Sequence, residues 1–166
     1  MKDMRLRFHH QAAIEIWEQF CRSHHDLYEL TCDEYQALLS GEIEALEDII
    51  VKKEAVVAVV NHWEAQRAGL IATLNSERDP SDELITNVTG LLKVLGPVEN
   101  NLPIAALHNL NLLLIDVITR IQEQNKRNQV FLNRAMSSLR EIREGFRGKK
   151  QYTTYGADGM TRAASR

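Results

Sequence analysis

Residues 104–146 contain no Pro and, before Gly145, no Gly. Within them Ile104, Leu107, Asn111, Leu114, Ile118, Ile121, Asn125, Asn128, Leu132, Ala135, Leu139, Ile142 and Phe146 recur at alternating steps of three and four. That spacing is the a/d seam of coiled-coil packing. At about 1.5 Å per residue such a helix would be roughly 65 Å long, about twice the width of a small domain. The chain must therefore build something elongated around one long helix.

The seam is uneven. Leu110, Leu113, Ile115 and Val117 widen the apolar face in its first half, which predicts burial there against more than one neighbour. Between Gln122 and Gln129 the composition turns polar, with Asn125 and Asn128 both on the seam. A polar seam residue is satisfied only when its partner aligns, so the pair is either a register device inside the bundle or a polar layer that recognises a partner. Beyond it, Val130, Phe131, Leu132, Ala135, Met136, Leu139, Ile142 and Phe146 form a second apolar surface. Phe131, Met136 and Leu139 are read first as internal packing, although Met also suits adaptable binding surfaces.

Composition narrows the class. The 166 residues are 44% hydrophobic and 26% charged, with three Pro and eight Gly, as in one ordinary globular domain rather than a β-rich or disordered chain. A formal charge of −3 gives no general affinity for nucleic acid. The basic cluster Arg140, Arg143, Arg147, Lys149, Lys150 reads as a solvated helix end favourable to the macrodipole. Residues 1–8 lack the apolar core of a secretory signal, and no apolar run is long enough to span a bilayer. These features predict a cytoplasmic protein in which Cys21 and Cys32 are reduced thiols.

Ahead of the long helix, helical spacing marks a first helix over about 10–39 (Ala13, Ile16, Trp17, Phe20, Leu27, Tyr28, Thr31, Tyr35, Leu38). Ser40-Gly41 interrupts it, and Glu42, Glu44, Glu47 and Asp48 favour a new helix start. The second helix spans about 42–75, with Leu46, Ile49, Val56, Val60, Trp63, Leu70 and Leu74 on one face and Lys53 and Arg67 interrupting it. Its run Val56-Val57-Ala58-Val59-Val60 suits a strand, but the flanking three-four periodicity selects helix. Residues 75–80 are a loop, and Asp79-Pro80 or Ser81 can cap a third helix over 81–95, closed by Gly96-Pro97. Asn100-Asn101-Leu102-Pro103 turns the chain into the long helix at 104–146. The expectation is all-α: an elongated antiparallel four-helix bundle or coiled coil over 1–148, with a very long C-terminal helix and a disordered, flexible tail at 149–166.

Chemistry is sparse. No His follows a Glu by three residues, so the di-metal carboxylate pattern of helical bundles is absent, as is zinc-protease spacing. Cys21, His25 and Cys32 share one helix face but need a fourth ligand, and the pairs His9-His10 and His24-His25 read as surface polar residues. There is no phosphate loop, nucleophile elbow or dinucleotide fingerprint. The reading is a non-enzyme with no metal and no cofactor.

Three stretches resemble the FlgN family of flagellar type III export chaperones. Tyr35-Gln36-Ala37-Leu38-Leu39-Ser40-Gly41, followed by Ile43, Leu46 and Lys53-Glu54, is similar to the family's first hairpin. Asn125-Lys126-Arg127-Asn128-Gln129 with Leu132 resembles its long-helix motif, and Tyr155-Gly156-Ala157-Asp158-Gly159 with Thr161 resembles its C-terminal tail. The resemblance implies a cytoplasmic chaperone that binds the C-terminal region of the hook-filament junction proteins FlgK and FlgL. It implies that the chaperone keeps them unassembled and delivers them to the export gate component FlhA. Cargo binding would fall on the C-terminal part of the long helix, at Asn125, Asn128, Val130, Phe131, Leu132, Met136, Leu139, Ile142 and Phe146. Gate docking would fall on Tyr155, with Gly156, Asp158 and Gly159. From the residues alone, the alternative is a structural coiled-coil protein that self-associates through its long helix.

Overall fold

The computed structural model describes residues 2–148, together with 154–155 and 161–162. It is all-α in class: α1 (Lys2–Ser40), α2 (Ile43–Ser76), α3 (Val88–Glu99) and α4 (Ala106–Gly148). Two short strands, β1 (Thr154–Tyr155) and β2 (Thr161–Arg162), pair antiparallel. The other tail residues, Gly156, Asp158 and Gly159 among them, lie outside the described residues. The chain divides into two compact units, Met1–Lys126 and Arg127–Arg166. Each is taken by itself below.

In the first unit, α1 and α2 form an antiparallel hairpin. Ser40-Gly41 closes it: Gly41 adopts φ +71°, and the Glu42 N–H donates to the Ala37 carbonyl at 3.1 Å. This is a left-handed C-terminal cap, a conformation in which a side chain would be strained. Along the hairpin, Lys53 meets Glu34 at 2.9 Å and His9 meets Glu77 at 3.1 Å. The α2 face expected from the sequence is the covered one, with Ile49, Leu70 and Leu74 buried and Val56, Val60, Trp63, Lys53 and Arg67 half-buried.

α3 supplies the fourth wall of a compact core. Ala13, Trp17 and Phe20 of α1, Leu70 and Leu74 of α2, Ile85, Leu91 and Leu95, and Leu107 of α4 belong to one buried cluster. Trp17 is 1% exposed. It stands edge-on to Phe20 at 6.0 Å between ring centroids and donates its indole N–H to Asn111 Oδ1 at 3.1 Å. Burial of the ring and a partner for its one polar atom are both needed for Trp to be favourable inside.

Three boundaries differ from the sequence expectation, each for a tertiary reason. α1 starts at Lys2, not near His10, because Leu6, His9 and His10 are covered although the first turns look polar. α3 starts at Val88, not Ser81. Asn75 donates to the Ile85 carbonyl and accepts from its N–H, both at 2.9 Å, which holds the preceding segment extended until Asn87 caps Gly90 N–H at 2.8 Å. α3 also runs through Gly96 and Pro97 to Glu99, because that last turn buries Val98 and Glu99.

Glu99 also explains a fourth shifted boundary, the start of α4 at Ala106 rather than 104. The residue before the helix is Ala105, which has no side-chain cap to offer. Instead Glu99 Oε1 accepts from the N–H groups of Leu107 at 2.6 Å and His108 at 3.1 Å. A carboxylate from the end of one helix thus caps the start of the next, satisfying donors that α4 cannot satisfy internally. His10, 3% exposed, lies with its Nε2 3.9 Å from the same oxygen. The pair His9-His10 is therefore buried, contrary to the surface reading: His9 pairs with Glu77, whereas His10 Nε2 makes no hydrogen bond. Glu99→Ala should lower unfolding free energy by about 1–3 kcal/mol, the cost of stranding buried donors, with Glu99→Gln losing less. Urea denaturation followed by circular dichroism measures both.

Candidate binding surface

α4 carries the seam in two contrasting states. In the first unit Leu107 and Ile121 are buried and Asn111, Leu114 and Ile118 half-buried, so this part is internal packing. Leu110 and Val117 are also covered, but Leu112, Leu113 and Ile115 are exposed, which corrects the expectation for Leu113 and Ile115. At about 100° per residue, Leu110 and Val117 lie on one flank of the seam, roughly 60° and 80° from its centre, whereas Ile115 lies roughly 80° out on the opposite flank and Leu113 roughly 120° away. One line of neighbours cannot cover so wide an arc.

In the polar waist the two asparagines separate: Asn128 is 3% exposed and Asn125 is exposed. In the second unit Phe131 is half-buried, and every residue from Leu132 to Phe146 is exposed. Val130, Leu132, Met136 and Ile142 are about half-exposed, Leu139 is 65% exposed and Phe146 is 73% exposed. Met136 and Leu139 are thus not internal packing. Leu132, Ala135, Leu139, Ile142 and Phe146 continue the three-four spacing without interruption, so they share one face of α4 as an uncovered apolar stripe. A stripe of this kind on a helix is a candidate interaction site. Of the tail positions, Tyr155 falls in β1 opposite Thr161.

The proposed ligand face of α1 is not assembled: Cys21 Sγ donates to the Leu110 carbonyl at 3.4 Å, and His25 Nε2 faces Glu29 at 3.4 Å. Burial, and then the Glu18 carboxylate, push the Cys21 thiol up, which keeps it protonated and weakly nucleophilic. Among the described residues no group of three or more His, Cys, Asp or Glu could hold a metal ion. A cleft of about 440 Å³ at the His9–Glu77 end is floored by Leu6, Leu74 and Val94 and rimmed by Arg5, Arg78 and Asp82. Sequence spacing did not signal this cleft, because its walls come from three separate segments.

The FlgN protein family model matches residues 4–163, which takes in both strands and all of the four helices but the first two residues of α1. The chain belongs to the FlgN family. Comparison with curated proteins and with solved structures gave no match. Membership of the FlgN family makes this a flagellar export chaperone in general terms, and the four-helix architecture with an extended last helix accords with the resemblance drawn from its motifs. Among the described residues no helix is long and apolar enough to cross a membrane.

If the stripe is surface and the cluster around Trp17 is core, substitution should separate them. Leu139→Asp should change unfolding free energy by no more than about 0.5 kcal/mol, as at ordinary surface positions. Leu107→Ala, at a site that is fully buried, should cost about 2–5 kcal/mol. Parallel denaturant titrations give both values.

Proposed function

We propose that this protein is the cytoplasmic chaperone of FlgK- and FlgL-type hook-associated proteins, holding their C-terminal regions on the second half of α4 and passing them to FlhA. The observation that supports it is the uncovered stripe from Leu132 to Phe146, an apolar face that no described segment of the chain covers. Val130, Phe131, Leu132, Met136, Leu139, Ile142 and Phe146 are the contacts in this reading, with exposed Asn125 at their N-terminal edge. Asn128, being buried, fixes register rather than touching cargo.

The mechanism needs no catalysis and no cofactor. A cargo segment that is disordered when free folds as an amphipathic helix against the stripe, a helix-in-groove mode. Burying roughly 600 Å² of apolar surface would contribute about 15 kcal/mol gross at ~25 cal/mol/Å². Ordering the segment and fixing two molecules together offset most of that, leaving binding tight enough to prevent assembly and weak enough for release. Tyr155, with Gly156, Asp158 and Gly159, docks at the gate. Because that motif is separate in sequence from the stripe, delivery need not begin by displacing cargo.

Calorimetric titration with C-terminal peptides of hook-associated proteins tests the reading. Saturable binding with a negative heat-capacity change is expected, retained in a chain truncated after Gly148 and weakened at least tenfold by Leu139→Asp or Phe146→Asp. Absence of binding to any such peptide, with a tight dimer in sedimentation, would favour self-association through α4 instead. Tyr155→Ala should leave peptide binding unchanged and weaken binding to the cytoplasmic domain of FlhA; equal affinity for FlhA would remove the role given to Tyr155.

A further inference from the structure

Charge is distributed very unevenly along this chain. Residues 1–129 hold 12 Lys and Arg against 20 Asp and Glu, whereas residues 130–150 hold six against two. The apolar stripe therefore lies in the one strongly basic stretch of an otherwise acidic protein. Heptad position sharpens the contrast. With Leu132, Leu139 and Phe146 at a and Ala135 and Ile142 at d, Arg143 occupies e after Met136, and Arg140 and Arg147 occupy b beside it. Glu141 falls at c, away from that edge, and Glu144 at f, where it borders the b arginines but not e. Arg140 and Arg143 are exposed, each one turn beyond an exposed apolar residue, Met136 and Leu139 respectively.

We propose that this edge selects its occupant by charge: the stripe accepts an amphipathic helix whose own flank, beside its apolar seam, is acidic. The inference rests on the chaperone reading and names the chemistry of the segment bound at that site. Residues at e and g meet the partner's flank in a helix pair and set partner choice, so a basic e edge without acids disfavours a basic-flanked helix. The acidic remainder of the chain repels the same partner elsewhere, which steers encounter to this stretch. A protein helix fits better than an anionic lipid surface. Arg143 stands about 40° from Leu139 and about 20° from Met136, inside the apolar arc, where a carboxylate can pair with it and hydrocarbon cannot.

The test uses the full chain and two designed peptides of about three heptads. Both carry the same Leu and Ile seam; one has Glu and the other Lys at its flanking positions. Fluorescence anisotropy should show the Glu-flanked peptide binding about tenfold tighter, the sum of a few exposed charge pairs, with the difference shrinking at high salt. The double variant Arg140→Glu, Arg143→Glu should lose or invert the preference at unchanged helicity, and should equally weaken capture of the hook-associated segment. Equal affinity for the two peptides, in a protein that still binds hook-associated segments, would overturn the charge rule and leave the chaperone reading standing. Failure to bind either designed peptide or any hook-associated segment would overturn both. Binding to vesicles containing phosphatidylglycerol, with no preference for the Glu-flanked peptide, would overturn the proposal in favour of a membrane surface. Self-association abolished by the same double variant, again with no such preference, would favour a second copy of the chain.

Discussion

The first unit depends on the burial of Trp17. Its ring is where α1, α2, α3 and the start of α4 contribute to one apolar cluster, and its single polar atom is satisfied by Asn111 of α4. That bond links residues far apart in the chain, so it forms only when α4 has docked along α1. The Glu99 carboxylate then secures the same junction from the other side, by capping α4 from the end of α3. Apolar burial supplies most of the stabilisation, and the two polar contacts fix which arrangement receives it.

The helices differ in length: α4 has 43 residues, α1 39, α2 34 and α3 only 12. The apolar period of α4 continues regardless. Where it continues without cover, at Leu132 to Phe146, the protein exposes a seam of the kind that elsewhere makes a core. Family membership as a flagellar export chaperone supplies a reason for a chain to keep that seam available. On the reading proposed above, the basic residues along its edge add discrimination to an attraction that would otherwise accept any apolar helix.

Much of this was legible in the sequence because helices announce themselves by local spacing. The four helices, the Gly41 turn, the covered face of α2 and the seam of α4 all come from residues three and four apart. The capping of α4 by Glu99 was not legible, since donor and acceptor are separated by a turn and the residue before the helix is only an alanine. The burial of His9 and His10 was hidden for a related reason: each is polar, and what covers each comes from segments distant in the chain, Glu77 for His9 and the Glu99 turn for His10. The start of α3 was misplaced because Asp79-Pro80 is a good local start signal, while Asn75 holds the backbone of Ile85 by contacts that periodicity does not encode.

By itself the sequence determined that the chain is helical, that its last helix is far longer than the others, and that its motifs resemble one chaperone family. Periodicity specifies which side chains share a face. It does not specify whether a face is covered, because that depends on where other helices end. Only the tertiary structure decided that Leu107 and Ile121 are inside while Leu139 and Phe146 are outside, although all four obey the same three-four rule. The physical reason is that burial is a property of neighbours, and the period of one helix carries no record of what packs beside it.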